Sequence, residues 1–110
     1  MKLAIIGSRT LCVDIHPHIP PGVTEIVSGG ARGMDACAAA YAKEHGIPLT
    51  VFLPDYAKYG RGAPHRRNAQ IADYAEAALV FWDGCSRGTQ HVWHLFEKLG
   101  KPVTVIRESR

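Results

Sequence analysis

Glu25-Ile26-Val27 runs into Ser28-Gly29-Gly30-Ala31-Arg32-Gly33-Met34-Asp35, and an alanine-dense stretch to His45 follows, closed by Gly46-Ile47-Pro48. A short aliphatic, β-branched run that halts at glycine reads as a buried strand of a parallel sheet. Arg32 to His45 reads as a helix, because alanine is a strong helix former and its small side chain lets the helix lie close to a sheet. Gly46 and Pro48 supply the stop. Leu49 to Leu53 is a strand again, so this part of the chain spells strand, glycine-rich turn, helix, strand.

The same grammar extends in both directions. Leu3 to Ile6 precedes Gly7-Ser8-Arg9, Ala78 to Trp82 precedes Asp83-Gly84-Cys85-Ser86-Arg87-Gly88-Thr89, and Val103 to Ile106 gives a fifth strand. The Gly60 to Asn68 stretch reads as a further glycine-bearing loop. Pro64 suits the first turn of a helix through Ala69, Ile71, Ala72 and Ala75, while Val92, Leu95, Phe96 and Leu99 recur at helical spacing until Gly100 and Pro102. In the first crossover, Leu11 to Val23, Pro17, Pro20 and Pro21 leave room for little more than one turn near Val13 to Ile19. Strands alternating with helices imply right-handed crossovers and a parallel sheet covered on both faces. The expectation is a single α/β domain over residues 1–110, a three-layer Rossmann-like sandwich with a five-stranded parallel sheet.

Composition agrees with one globular domain: 110 residues, 46% hydrophobic and 21% charged, with prolines and glycines scattered as punctuation and no linker or repeat. The N-terminal apolar run is too short for a signal peptide, and nothing approaches the roughly 18 to 20 apolar residues of a membrane span. A cytoplasmic protein without membrane partners is expected. Cys12, Cys37 and Cys85 are odd in number and form no C-x-x-C, which argues against a disulfide framework or a zinc ribbon and reads as buried or bystander thiols. A net charge of +3, with basic residues clustered only at Lys58, Arg61, Arg66 and Arg67, suits phosphate-bearing partners without specifying nucleic acid.

In a parallel sheet the loops emerge together at the carboxyl edge, where open α/β sheets bind ligands. Gly7 would let a ligand approach the backbone, Ser8 offers a hydroxyl, and Arg9 can fork onto phosphate or carboxylate oxygens. In the second loop Ser28, Gly29, Gly30 and Gly33 lead into a helix N-terminus, the usual setting for an anion, with Arg32 as a cation and Asp35 placed either to accept from ribose hydroxyls or to brace the loop. Asp83, Ser86, Gly88 and Thr89 repeat that logic with Arg87 as a second cation. Arg66, Arg67 and Asn68 fall in a helical first turn, where basic groups oppose the dipole; a bound anion would justify that placement, and a solvated basic face is the equal alternative. Neither G-x-G-x-x-G nor the Lys-Ser/Thr ending of a P-loop is present. His91 and His94 stand one turn apart and His16 and His18 alternate, but no nearby carboxylate or thiol completes a recognisable site, so neither metal nor cofactor is expected. Tyr56 and Tyr59 are candidates for base contact, and Trp82 reads as core.

Taken in order, Gly-Ser-Arg at 7–9, Ser-Gly-Gly-Ala-Arg-Gly-Met-Asp at 28–35, Arg67-Asn68 and Ser-Arg-Gly-Thr at 86–89 resemble the SLOG superfamily of Rossmann-like domains, and within it the small YspA-like group, from Lys2 to Ile106. Two relatives imply different activities. The DNA-processing protein A family, which handles single-stranded DNA, is similar at Ser28 to Asp35 and Arg67-Asn68. The Lonely Guy phosphoribohydrolases are similar at Gly88 and Thr89, but their two glutamates fall on His91 and Val92, and such a hydrolase needs a carboxylate for an oxocarbenium-like transition state. The resemblance therefore implies binding or sensing of a nucleotide or nucleotide-derived phosphate ligand. Nucleoside monophosphate hydrolysis and single-stranded nucleic acid binding are the alternatives, the latter through Lys58, Arg61, Arg66 and Arg67. It also implies a homodimer, for which an exposed Trp93 would fit.

Overall fold

A computed structural model describes residues 1–108; Ser109 and Arg110, the end of the expected domain, lie outside the described residues. Five strands, β1 (Lys2–Gly7), β2 (Glu25–Ser28), β3 (Leu49–Val51), β4 (Ala77–Trp82) and β5 (Val103–Arg107), pair in parallel in the order β3-β2-β1-β4-β5. Four helices connect or flank them: α1 (Met34–Glu44), α2 (Tyr56–Tyr59), α3 (Ala63–Tyr74) and α4 (Arg87–Lys98). The first crossover contains only a 3-10 turn at His16–His18, as its prolines dictate.

Alternation along the strands sends side chains to two separate cores. Leu3 and Ile5 of β1 with Leu79 and Phe81 of β4 meet Met34, Ala38 and Ala42 of α1 and Leu11 and Ile15 of the first crossover. Ala4 and Ile6 with Ala78 and Val80 meet Ile71 and Ala72 of α3 and Val92 and Phe96 of α4. The sheet is thus the middle of three layers, and the α/β sandwich is the fold. Alanines on α1 let that helix pack closely on β1 and β2.

Three local expectations change. β3 stops at Val51 rather than Leu53, because its partner β2 ends at Ser28, which is paired with Val51. As an edge strand β3 leaves Leu49 and Val51 exposed. The Gly60 to Asn68 stretch is not a loop: the Asp55 side chain caps α2 by accepting from Lys58 N at 3.1 Å, a 3-10 turn covers Gly60–Gly62, and α3 begins at Ala63 with Pro64 in its first turn. Cys12 and Cys37 are not bystander thiols but a disulfide that ties the first crossover to α1, leaving Cys85 free and exposed. No helix among the described residues is long and apolar enough to cross a membrane.

Candidate functional site

β1 leads to β2 and β3 on one side, and the chain then crosses to β4 and β5 on the other. The strand order therefore reverses between β1 and β4, the switch point at which open α/β sheets form their ligand crevice. A crevice of about 420 Å³ opens there, within the roughly 300–1,000 Å³ range of small-molecule sites. From β1 it receives Gly7, Ser8 and Arg9; from β2, Gly29 and Asp35; from β4, Asp83, Ser86, Gly88 and Thr89; and α3 contributes His65, Arg67 and Asn68 as a wall. Gly30 and Arg32 line an adjoining recess with Arg9, Leu53 and Arg67. Ser28, Gly33 and Arg87 line neither. Ser28 is buried and its Oγ accepts from Gly30 N at 3.2 Å, Gly33 packs on the backbone of Arg9, and Arg87 points outward, exposed, from the start of α4.

Two glycines have structural reasons that sequence alone does not reveal. A Cβ on Gly7 would collide with the Met34 side chain, so this glycine lets α1 close onto β1 rather than giving a ligand room. Gly33 adopts φ 72°, a left-handed conformation, at the N-cap of α1, with the Arg9 backbone directly in the path of any side chain.

Ser8 sits at the floor. Its amide donates to Phe81 O at 3.3 Å, and its carbonyl accepts from Leu11 N at 3.2 Å and Met34 N at 3.4 Å, stapling the first loop to β4 and α1. Its hydroxyl is buried with no hydrogen-bond partner. Ser8 Oγ contributes weakly to keeping the nearby Asp83 carboxyl low, yet nothing meets it in hydrogen-bond geometry. An orphaned buried hydroxyl costs about 1–3 kcal/mol, an expense that a guest in the crevice would relieve.

The polar wall has a fixed direction. Arg67 has only donors; its Nη1 donates to Gly29 O at 2.7 Å and its Nε to Asn68 Oδ1 at 3.0 Å. That orients the Asn68 amide, whose Nδ2 lies 3.1 Å from His91 Nδ1 and donates to it. His91 is thereby held as the Nε2–H tautomer, and burial, followed by the charges of His65 and His94, keeps its pKa below the ordinary histidine range. The ring is a neutral donor with its basic nitrogen already engaged. The basic placement of Arg67 on α3 thus has protein acceptors that account for it. Arg66 lies over the Tyr59 ring, which also carries Lys58, so one candidate base-stacking face is covered by cations of this chain.

The carboxylates differ in character. Burial pushes the Asp35 carboxyl above its usual range, outweighing the Ala31 amide that donates to Oδ2 at 2.9 Å and the positive charges of Arg67 and Arg9. Asp83 is the reverse: the amides of Cys85 and Ser86 donate to its Oδ1 at 2.9 and 2.8 Å and lower its pKa to about 2. Ser86 Oγ caps α4 by accepting from Thr89 N at 3.4 Å. Several amides expected to hold an anion are therefore occupied by Asp35, Asp83, Ser28 and Ser86. The free cation of the crevice is Arg9, exposed at the rim and absent from every ion pair among the described residues.

The aromatic expectations divide. Trp82 packs at the margin of the second core and its Nε1 donates to Ser86 O at 3.2 Å, bracing the loop after β4. Trp93 is half-buried rather than exposed: its ring meets Trp82 edge-on at 5.2 Å and its Nε1 donates to Glu97 at 3.1 Å. The contact between His65, which lines the crevice, and His91, ring centroids 4.3 Å apart, is a feature that sequence reading missed. The two histidines are 26 positions apart, on different helices, so no local spacing signals the contact.

Among known families, the YAcAr model, described as the YspA, cpYpsA-related SLOG family, matches residues 13–59. The matched span holds the loop after β2 and all of α1, while the loops after β1 and β4 and the Arg67-Asn68 wall lie outside it. No curated protein and no solved structure matches significantly.

Proposed function

Membership of the SLOG superfamily, supported by the match over residues 13–59, is the premise from which we propose that this chain binds a nucleotide or nucleotide-derived ligand through its phosphate in the crevice between β1 and β4. The observation that carries the reading is the meeting of three strand-end loops around the orphaned Ser8 hydroxyl and the unpaired Arg9. In this reading Ser8, Arg9 and the Gly88 amide in the first turn of α4 hold the phosphate, where helix amides favour negative charge, while Thr89 braces that turn through Ser86. Asp35 meets the sugar, and Arg67 and Asn68 form the wall, with His91 holding the Asn68 amide.

The test is calorimetry against a panel of nucleoside mono- and diphosphates, guided by mass spectrometry of any ligand that co-purifies. Arg9→Ala should weaken binding about 10- to 100-fold, the worth of one charge-assisted hydrogen bond, without changing the melting temperature. Arg32→Ala, in the adjoining recess, should cost less. Asp35→Asn should weaken nucleotide binding while sparing inorganic phosphate. Unchanged nucleotide affinity in Arg9→Ala would remove the proposal.

Asp35 and Asp83 both face the crevice, which favours N-glycosidic hydrolysis as a second reading. Asp83 is committed to two amides and His91 Nδ1 to Asn68, leaving Asp35 as its acid or base. Release of free base from any common nucleoside monophosphate would establish it, and no turnover across the set would dismiss it.

A further inference from the structure

We propose that His16, Glu44 and His45 form a binding site for a divalent transition-metal ion, with Asp14 orienting the first histidine. The site is independent of the crevice. It lies at the C-terminal end of α1, about 16 Å along the helix from the loops that line the crevice.

The argument begins with protons. His16 Nδ1 lies 2.6 Å from Asp14 Oδ1, and a carboxylate can only accept, so Nδ1 carries the hydrogen and the neutral ring presents the lone pair of Nε2. That atom lies 2.9 Å from His45 Nε2 and 3.8 Å from Glu44 Oε2. All three ligand atoms fall within 4.8 Å of one another. Without metal, His45 donates from Nε2 to His16; with metal, His45 needs only to move its proton to Nδ1 to offer a second lone pair. Metal–nitrogen bonds of about 2.0–2.1 Å in tetrahedral geometry place two ligand nitrogens ~3.3 Å apart. The imidazoles must therefore part by a few tenths of an ångström and turn so that both lone pairs converge on the ion. Both are exposed and free to do so.

Placement of the rings is also provided for. Tyr41, one turn before His45, meets the His16 ring edge-on at 4.9 Å and lies against the His45 ring at 4.3 Å, holding the two imidazoles on one side of the helix end. Asp14, hydrogen-bonded to the far nitrogen of His16, is the carboxylate partner that metal-binding histidines commonly have, which fixes ring orientation and raises ligand basicity. Two imidazoles and one carboxylate suit zinc, nickel or copper and disfavour magnesium and calcium, which prefer all-oxygen shells. Three protein ligands leave a position for water. A bound ion would pin the first crossover to the end of α1, adding to the Cys12–Cys37 link between the same two segments.

The experiment is titration of the full chain with Zn2+ alone, without thiol reductant, followed by calorimetry and thermal melting. One equivalent should bind and raise the melting temperature. His16→Ala and His45→Ala should each weaken binding more than about tenfold, Asp14→Asn by about 10- to 100-fold as second-shell losses do, and His94→Ala, on α4, not at all. Mg2+ should not compete. Equal zinc affinity in the wild type and the His16→Ala/His45→Ala double variant would overturn the site, since histidines elsewhere or Cys85 would then be the ligands. Equal affinity for Mg2+ would overturn the transition-metal assignment.

Discussion

Two aspartates that line one crevice behave in opposite ways, because burial dominates at Asp35 and two backbone amides dominate at Asp83. Asp83, served by the amides of Cys85 and Ser86, titrates at about 2 in the folded chain, against an ordinary value near ~3.9 when unfolded. A depressed folded pKa contributes stability that is present above pH ~4 and lost as pH falls toward 2. The carboxyl resonance of Asp83 should therefore show a midpoint near 2, and Asp83→Asn should flatten the loss of stability between roughly pH 4 and pH 2; a midpoint near 4 would mean the two amides do not hold it. Asp35, raised by burial, has the opposite sign: it withdraws stability as pH rises through its folded range. Residue types told which side chains could bind an anion. Which were already engaged by the chain's own amides depended on loop conformation, and neither the orphaned Ser8 hydroxyl nor the Arg67–Asn68–His91 relay leaves a trace in local spacing.

Elements were legible where their signals were local. Pro64 and the helical recurrence through Ile71 and Ala72 mark α3, and Gly46 with Pro48 marks the end of α1. The end of α3 was not legible, because its cap comes from a distant residue: Lys101 Nζ donates to the carbonyls of Ala72, Asp73 and Ala75 at 2.6, 3.0 and 2.9 Å, putting a cation on the negative end of the helix. The Cys12–Cys37 bond was hidden for the same reason, since an odd cysteine count says nothing about which two thiols meet. Thiol titration should count one reactive cysteine, Cys85, in the native protein and three after reduction. Closing a loop with a sequence separation of 25, the bond should contribute about 3.5 kcal/mol, read as the drop in unfolding free energy on reduction. Three thiols reacting before reduction would contradict the pairing.

At the scale of the molecule, one sheet separates two cores, and the order β3-β2-β1-β4-β5 sets the crevice where their connections part. Phe81 anchors one core and Phe96 the other, both fully buried. Phe81→Ala and Phe96→Ala should each cost about 3–5 kcal/mol, and each variant should still unfold in a single transition, because β1 and β4 supply side chains to both faces and neither layer can melt alone. Two resolved transitions in denaturant, with one layer surviving the other, would contradict that coupling.

The sequence by itself determined the alternation of strand and helix, the parallel sheet with two covered faces, and the loops that would stand at its carboxyl edge. Those features follow from short-range rules of periodicity, capping and backbone freedom, which act within a few residues. Only the tertiary structure decided that Gly7 makes room for Met34, that Arg67 is spent on Gly29 and Asn68 while Arg9 stays free, and that His16 meets Glu44 and His45 across the first crossover. Each of these depends on segments distant in the chain being brought together by packing, and no local pattern of residues encodes which distant atom will arrive.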